Sequence, residues 1–137
     1  MRWLALVSIT LLAGCPLDTP STGECGNDSD CDGNVCARDN FCHPAANVRE
    51  VKTTWTILGK PASKTTCGPV EDLQIGYSGG GAGEQPLSYA PVPCENGQFV
   101  IDKLPRTFTV VELGKHHGVP MSKVIGASST VEFDLSN

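Results

Sequence analysis

Basic residues are scarce in this 137-residue chain: 10 Lys and Arg stand against 15 Asp and Glu, giving a formal charge of -5. No basic run exists to neutralise phosphates, so no nucleic-acid partner is expected. No stretch of about 20 apolar residues is present, so no membrane-spanning helix is expected either. Core formers are few: Leu, Ile, Val and Phe total 32, and six of these lie in the first 12 residues. The rest suffices for one small domain with an appendage. Cys-x-x-Cys spacing is missing, which argues against zinc and against a redox pair. His43, His116 and His117 are the only imidazoles, and none lies in G-x-S-x-G or H-E-x-x-H. No enzyme activity is expected, and no cofactor unless calcium.

The chain opens with one positive charge, Arg2, then the apolar run Leu4–Leu12, then Ala13-Gly14-Cys15. That is the layout of an export signal over residues 1–14, to be set aside from fold reasoning. Leu12-Ala13-Gly14-Cys15 resembles the lipobox of bacterial lipoproteins. The resemblance implies that the Cys15 thiol is alkylated by a diacylglycerol, that cleavage precedes Cys15, and that the new amine is acylated. Cys15 then enters no disulfide. Losing residues 1–14 removes Arg2 and no acid, so the charge moves from -5 to -6. An acidic protein is not held on an acidic bilayer by charge, so attachment depends on the lipid chains. Pro16 follows the lipid-bearing Cys where some enterobacterial lipoproteins carry an inner-membrane Asp. By that resemblance the expected location is the bacterial cell envelope, at the outer membrane rather than the inner.

Residues 15–24 carry the lipidated Cys and a polar, Pro-containing tether, Pro16 to Glu24. A cysteine-rich module follows over 25–46. Six Cys remain after Cys15, an even number in an exported chain, and three disulfides are expected. Cys25, Cys31, Cys36 and Cys42 cluster as C-x5-C-x4-C-x5-C. This segment has few core formers beyond Val35 and Phe41, so it needs covalent staples. Clustering argues for pairing within the four, which leaves three connectivities. Interleaving, Cys25 with Cys36 and Cys31 with Cys42, is the expected one, because the others leave tiny loops with little to hold them together. Cys67 then pairs with Cys94. The pattern Cys25, Asp28, Asp30, Cys31, Gly33, Cys36, Cys42 resembles short extracellular cysteine modules, including Dickkopf-like ones and those of predicted myxobacterial lipoproteins. It implies an extracellular disulfide module and little about activity.

Asp28, Asp30 and Asp32, followed by Gly33, also match the opening of an EF-hand loop, with Asn34 at the carbonyl position and Asp39 at the last ligand position. This makes calcium a candidate ligand. Against it stand Cys36 inside the loop, flanks without helical character, Pro44 close behind, and an Asp where a bidentate Glu belongs. The competing reading is turn chemistry: Asx turns, and a positive φ at Gly33.

From residue 47 to 137 the apolar period becomes two. Val51, Thr53, Trp55 and Ile57 share one face; Leu73, Ile75 and Tyr77 another; then Phe99 and Ile101, then Phe108 and Val110, then Val131, Phe133 and Leu135. Val110-Val111 places its strand centrally. The expected fold is all-β, a small antiparallel β-sandwich of about seven strands preceded by the stapled module. Gly97, Phe99, Ile101, Leu104, Pro105, Phe108 and Val110 resemble the core motif of carboxypeptidase-regulatory-like, transthyretin-like sandwiches, with Arg106 where that family usually has Gly. The resemblance implies a noncatalytic accessory role. A Cys67–Cys94 bridge would contribute roughly 3–4 kcal/mol for a loop of that length. Ser78 to Gly83 is Gly-rich but lacks the Gly-Lys-Ser/Thr of a phosphate loop, and reads as a loop tip. His116-His117 reads as an exposed pair.

Together these readings describe a membrane-anchored interaction or structural module that meets an envelope protein or glycan through loops such as 78–90 and 114–122. A calcium-dependent adhesive or regulatory module and a small protease inhibitor are the alternatives.

Overall fold

The alternating segments become strands, and their alternation sets which side chains are buried. A computed structural model describes residues 23–68, 70, 72–81 and 83–136. The expected export signal, Cys15 and the expected tether up to residue 22 lie outside the described residues. In the knot, β1 (Val35–Cys36) pairs with β2 (Cys42–His43). The sandwich comprises β3 (Val48–Ile57), β4 (Lys60–Pro61), β5 (Leu73–Gly79), β6 (Leu87–Val92), β7 (Gln98–Pro105), β8 (Phe108–Lys115), β9 (Met121–Val124) and β10 (Thr130–Leu135). A four-residue helix, α1 (Lys64–Cys67), follows the Ser63 cap, whose hydroxyl accepts from Thr66 N–H.

The fold is the expected all-β sandwich. One sheet runs β6-β5-β8-β9. In the other, β3 is central: β10 lies along one side, and β7 and β4 share the opposite side in succession. The sheet pairings are antiparallel except β10 with β3, which is parallel. The core lies between the sheets. Val51, Trp55 and Ile57 from β3 meet Leu73, Ile75 and Tyr77 from β5, with Val131, Phe133 and Leu135 from β10. Thr53 is the one buried polar residue among them, and its Oγ1 lies 3.3 Å from the Tyr77 hydroxyl across the core.

Eight strands form in the sandwich against about seven expected, and β4, β6 and β9 lie outside the five alternating segments read from the sequence. Of these, β6 and β9 are edge strands, and β9 has no buried residue. Without a buried face there is no alternation to detect. A second difference lies in β8. Phe108, Val111 and Leu113 are buried while Val110 is only half-buried. Ser78 pairs with Val110 and Gly79 with Phe108, so Thr109 is an extra residue that shifts the phase. At this point a Cβ on Gly79 would overlap the Thr107 carbonyl, so glycine is required by close approach. As expected, β8 is interior to its sheet.

All three expected disulfides form. Cys25 bonds Cys36, Cys31 bonds Cys42, and Cys67 bonds Cys94. The last closes a 27-residue separation and ties α1 to the turn Cys94–Asn96. Trp55 Nε1–H donates to the Cys94 carbonyl at 2.7 Å, fixing that turn to the core. Gly97 ends the turn at φ +66, where glycine carries no Cβ penalty.

Candidate functional site

The knot is docked on the sandwich through an irregularity in β7. Arg49 pairs with Leu104 and Val51 with Ile101, so two steps along β3 match three along β7. The extra residue makes a bulge at Asp102-Lys103, and Lys103 takes φ +49. Bulges re-aim side chains. Here both Ile101 and Leu104 stay buried, while Asp102 and Lys103 turn to the knot. Arg38 N–H donates to the Lys103 carbonyl at 3.2 Å. The Arg38 guanidinium pairs with Asp102. Lys103 Nζ donates to both oxygens of Asp28 at 2.8 Å.

These contacts place the calcium candidates. Asp28 is engaged by Lys103 and also accepts from Cys36 N–H at 2.9 Å. Asp30 accepts from Gly26 N–H and Asn27 N–H as part of a capping box on the turn Asp28–Asp30. Asp39 accepts from Phe41 N–H at 3.1 Å and lies 2.8 Å from His43 Nε2. Asp32 sits at φ +42 and Gly33 at φ +86, as turn residues do. Asn34 N–H donates to the Cys31 carbonyl. Four of the five calcium candidates thus have separate hydrogen-bond partners, and Asp32 holds a turn position. Among the described residues, the one group of three potential ligand atoms within 4.8 Å is the sulfurs of Cys25, Cys31 and Cys42. All three are in disulfides, and only thiolates bind metal. The geometry favours turn and docking roles over a calcium cage.

Electrostatics follow the contacts. The Lys103 hydrogen bond, then the Cys36 N–H, hold the Asp28 carboxyl below the usual carboxylate range. The Arg38 hydrogen bond does the same for Asp102 against a smaller opposing effect of burial. Burial pushes the Tyr89 hydroxyl up.

Docking creates two clefts. One of about 570 Å³ lies between the knot and Tyr89; the other, of about 560 Å³, lies between Phe41 and the loop 81–87. Asn40 lines both. Leu87 and Tyr89 stand two residues apart on β6 and supply an apolar floor. The Tyr89 ring packs 5.2 Å from Phe99 and edge-on to Tyr77 at 6.3 Å. Phe41 is 43% exposed. Glu84 closes the loop, accepting from Gly81 N–H and from the Thr107 hydroxyl.

Of the loops expected to meet a ligand, 78–90 contributes to this trench, and its residues 87–90 belong to strand β6. The other, 114–122, lies at the opposite edge of the sheet; there the His116 and His117 rings lie 4.3 Å apart, tilted by 50°, in the turn between β8 and β9. Sequence reasoning did not single out Arg38, Asp102 and Lys103, nor Asn40 and Phe41 as binding residues, whereas Gln85, Leu87 and Tyr89 fall within the expected loop 78–90. The signals present were Leu87-Ser88-Tyr89, a short alternating run, and Phe41, an aromatic in a segment too small to bury it. Comparison with protein-family models, curated proteins and solved structures found no match for this chain.

Proposed function

We propose that this chain is a noncatalytic lipoprotein of the bacterial cell envelope, acting as an interaction or structural module. Residues 1–14 direct export, Cys15 carries the lipid, and the tether to residue 24 holds the head off the bilayer, at the outer membrane. The head engages an envelope protein or glycan. The lipobox supports the anchor. The docking of the knot on the β7 bulge carries the binding role. Arg38, Asp28, Asp102 and Lys103 are spent on joining two stapled units, which leaves a ligand-sized trench at their junction. Metabolic labelling of the full chain with a fatty-acid analogue tests the anchor. Label and envelope fractionation are expected for the native chain and lost in Cys15→Ser, because a hydroxyl cannot replace the thiolate nucleophile. Label that persists in the variant overturns this reading.

A further inference from the structure

Resting on the reading of this chain as a noncatalytic binding module, we infer that the trench between the knot and β6 takes a neutral oligosaccharide, with Phe41 and Tyr89 as stacking platforms. Sugar rings present apolar C–H faces and a rim of hydroxyls, so they need exposed aromatic or aliphatic surface flanked by uncharged donors and acceptors. The trench has both. Phe41, Leu87 and Tyr89 supply the apolar surface, and Asn40 and Gln85 bring side-chain amides, which donate and accept at once.

The charges on its walls disfavour an anionic ligand. Arg38 is paired with Asp102 and Lys103 with Asp28, and these two pairs cancel locally. Asp39 and Glu84 leave carboxylates on the Phe41 cleft, which repel anions and can accept from sugar hydroxyls. Tyr89 is buttressed by Phe99 and Tyr77, so its face is held in place before binding. Asn40 borders both clefts, so a chain of several linked sugar rings passing it would meet the Phe41 and Tyr89 platforms in turn.

The test is calorimetric titration of the full chain in detergent. The neutral probes are maltotetraose, cellotetraose and chitotetraose; a Lys-rich and an Asp-rich peptide serve as charged ones. At least one tetrasaccharide is expected to bind, with little dependence on salt. Affinity should fall about tenfold or more in Phe41→Ala and in Tyr89→Leu, as for aromatic anchors at other interfaces. Val124→Ser, on the opposite edge strand β9, should leave it unchanged. Phe41 is exposed, so its variant is expected to fold, and the thermal unfolding curve of each variant verifies this. Binding to no tetrasaccharide, binding to a charged peptide alone, or full affinity in Phe41→Ala overturns the inference. Failure here with lipid label still on Cys15 removes the glycan site and leaves the lipoprotein reading. A bound sugar released in shortened form does the reverse: it overturns the noncatalytic reading and leaves the glycan site.

Discussion

Asp28 and Lys103 lie 75 residues apart in the chain, and in the fold the Lys103 ammonium meets both oxygens of the Asp28 carboxylate at 2.8 Å. The contact depends on the left-handed backbone of Lys103, which costs a non-glycine residue roughly 1–2 kcal/mol. Such backbone persists where the surroundings over-determine it. Here the neighbouring Asp102 is clamped by Arg38, and the Lys103 carbonyl takes the Arg38 N–H. The bulge therefore couples an otherwise separate stapled module to the sandwich.

Acid should release that coupling. Lys103 and Arg38 hold Asp28 and Asp102 below their ordinary pKa of 3.8. Depressed folded values mean that the docking is at full strength above 3.8 and is lost as pH falls through the lower folded values. Amide exchange should therefore show Arg38 N–H losing protection below that range, while sandwich amides on β3 and β5 keep theirs. The disulfides hold the knot itself together throughout. Arg38→Ala should give the same loosening at neutral pH with little change in the melting temperature, since exposed ion pairs add little to stability. A knot that stays protected in both experiments would contradict this account.

Alkali should act on the core instead. Burial pushes the Tyr77 hydroxyl up to about 12, opposed by its hydrogen bond with Thr53. The folded value lies above the unfolded one, so this contribution is complete below about pH 10 and is lost as pH rises toward 12. Urea unfolding between these limits should show stability falling by roughly 2–3 kcal/mol. Tyr77→Phe should flatten that slope. It should also cost about 1–3 kcal/mol at neutral pH by leaving the Thr53 hydroxyl unpartnered. Adding Thr53→Val should recover part of that loss.

The inter-element staple should matter most for the sandwich. Replacing Cys67 and Cys94 together by Ala should destabilise it by roughly 3–4 kcal/mol, the chain entropy of the opened loop. Trp55 fluorescence reports the change directly, because its indole N–H bonds the Cys94 carbonyl. The knot disulfides should survive in the same molecule. Thiol titration of denatured Cys15→Ser protein should find no free thiol, and two or more would contradict the pairing.

Gly79→Ala should cost about 1–3 kcal/mol, because the added methyl meets the Thr107 carbonyl and one backbone must shift. Thermal unfolding measures this, with Gly80→Ala, which meets no neighbour within 4 Å, as the control.

Period-two alternation made β3, β5 and β10 legible, because one face of each is buried in the core and solvent or a polar surface takes the other. The even number of Cys left after Cys15 made three disulfides legible, and clustering confined four of the six Cys to one module. The all-β class follows from the same patterns. Tertiary structure decided the rest, for reasons that no local pattern contains. Strands β6 and β9 form by pairing with β5 and β8 while presenting little or no buried face. Extra residues at Thr109 and at Asp102-Lys103 shift the phase of β8 and β7, and only the partner strand's register reveals them. The acids of the knot look alike in sequence, yet their partners are set by what the fold brings near. Asp28 goes to Lys103, Asp30 to a turn, and Asp39 to His43. A carboxylate's role depends on the donors within hydrogen-bond reach, and for Asp28 that donor stands on a strand folded back from 75 residues away.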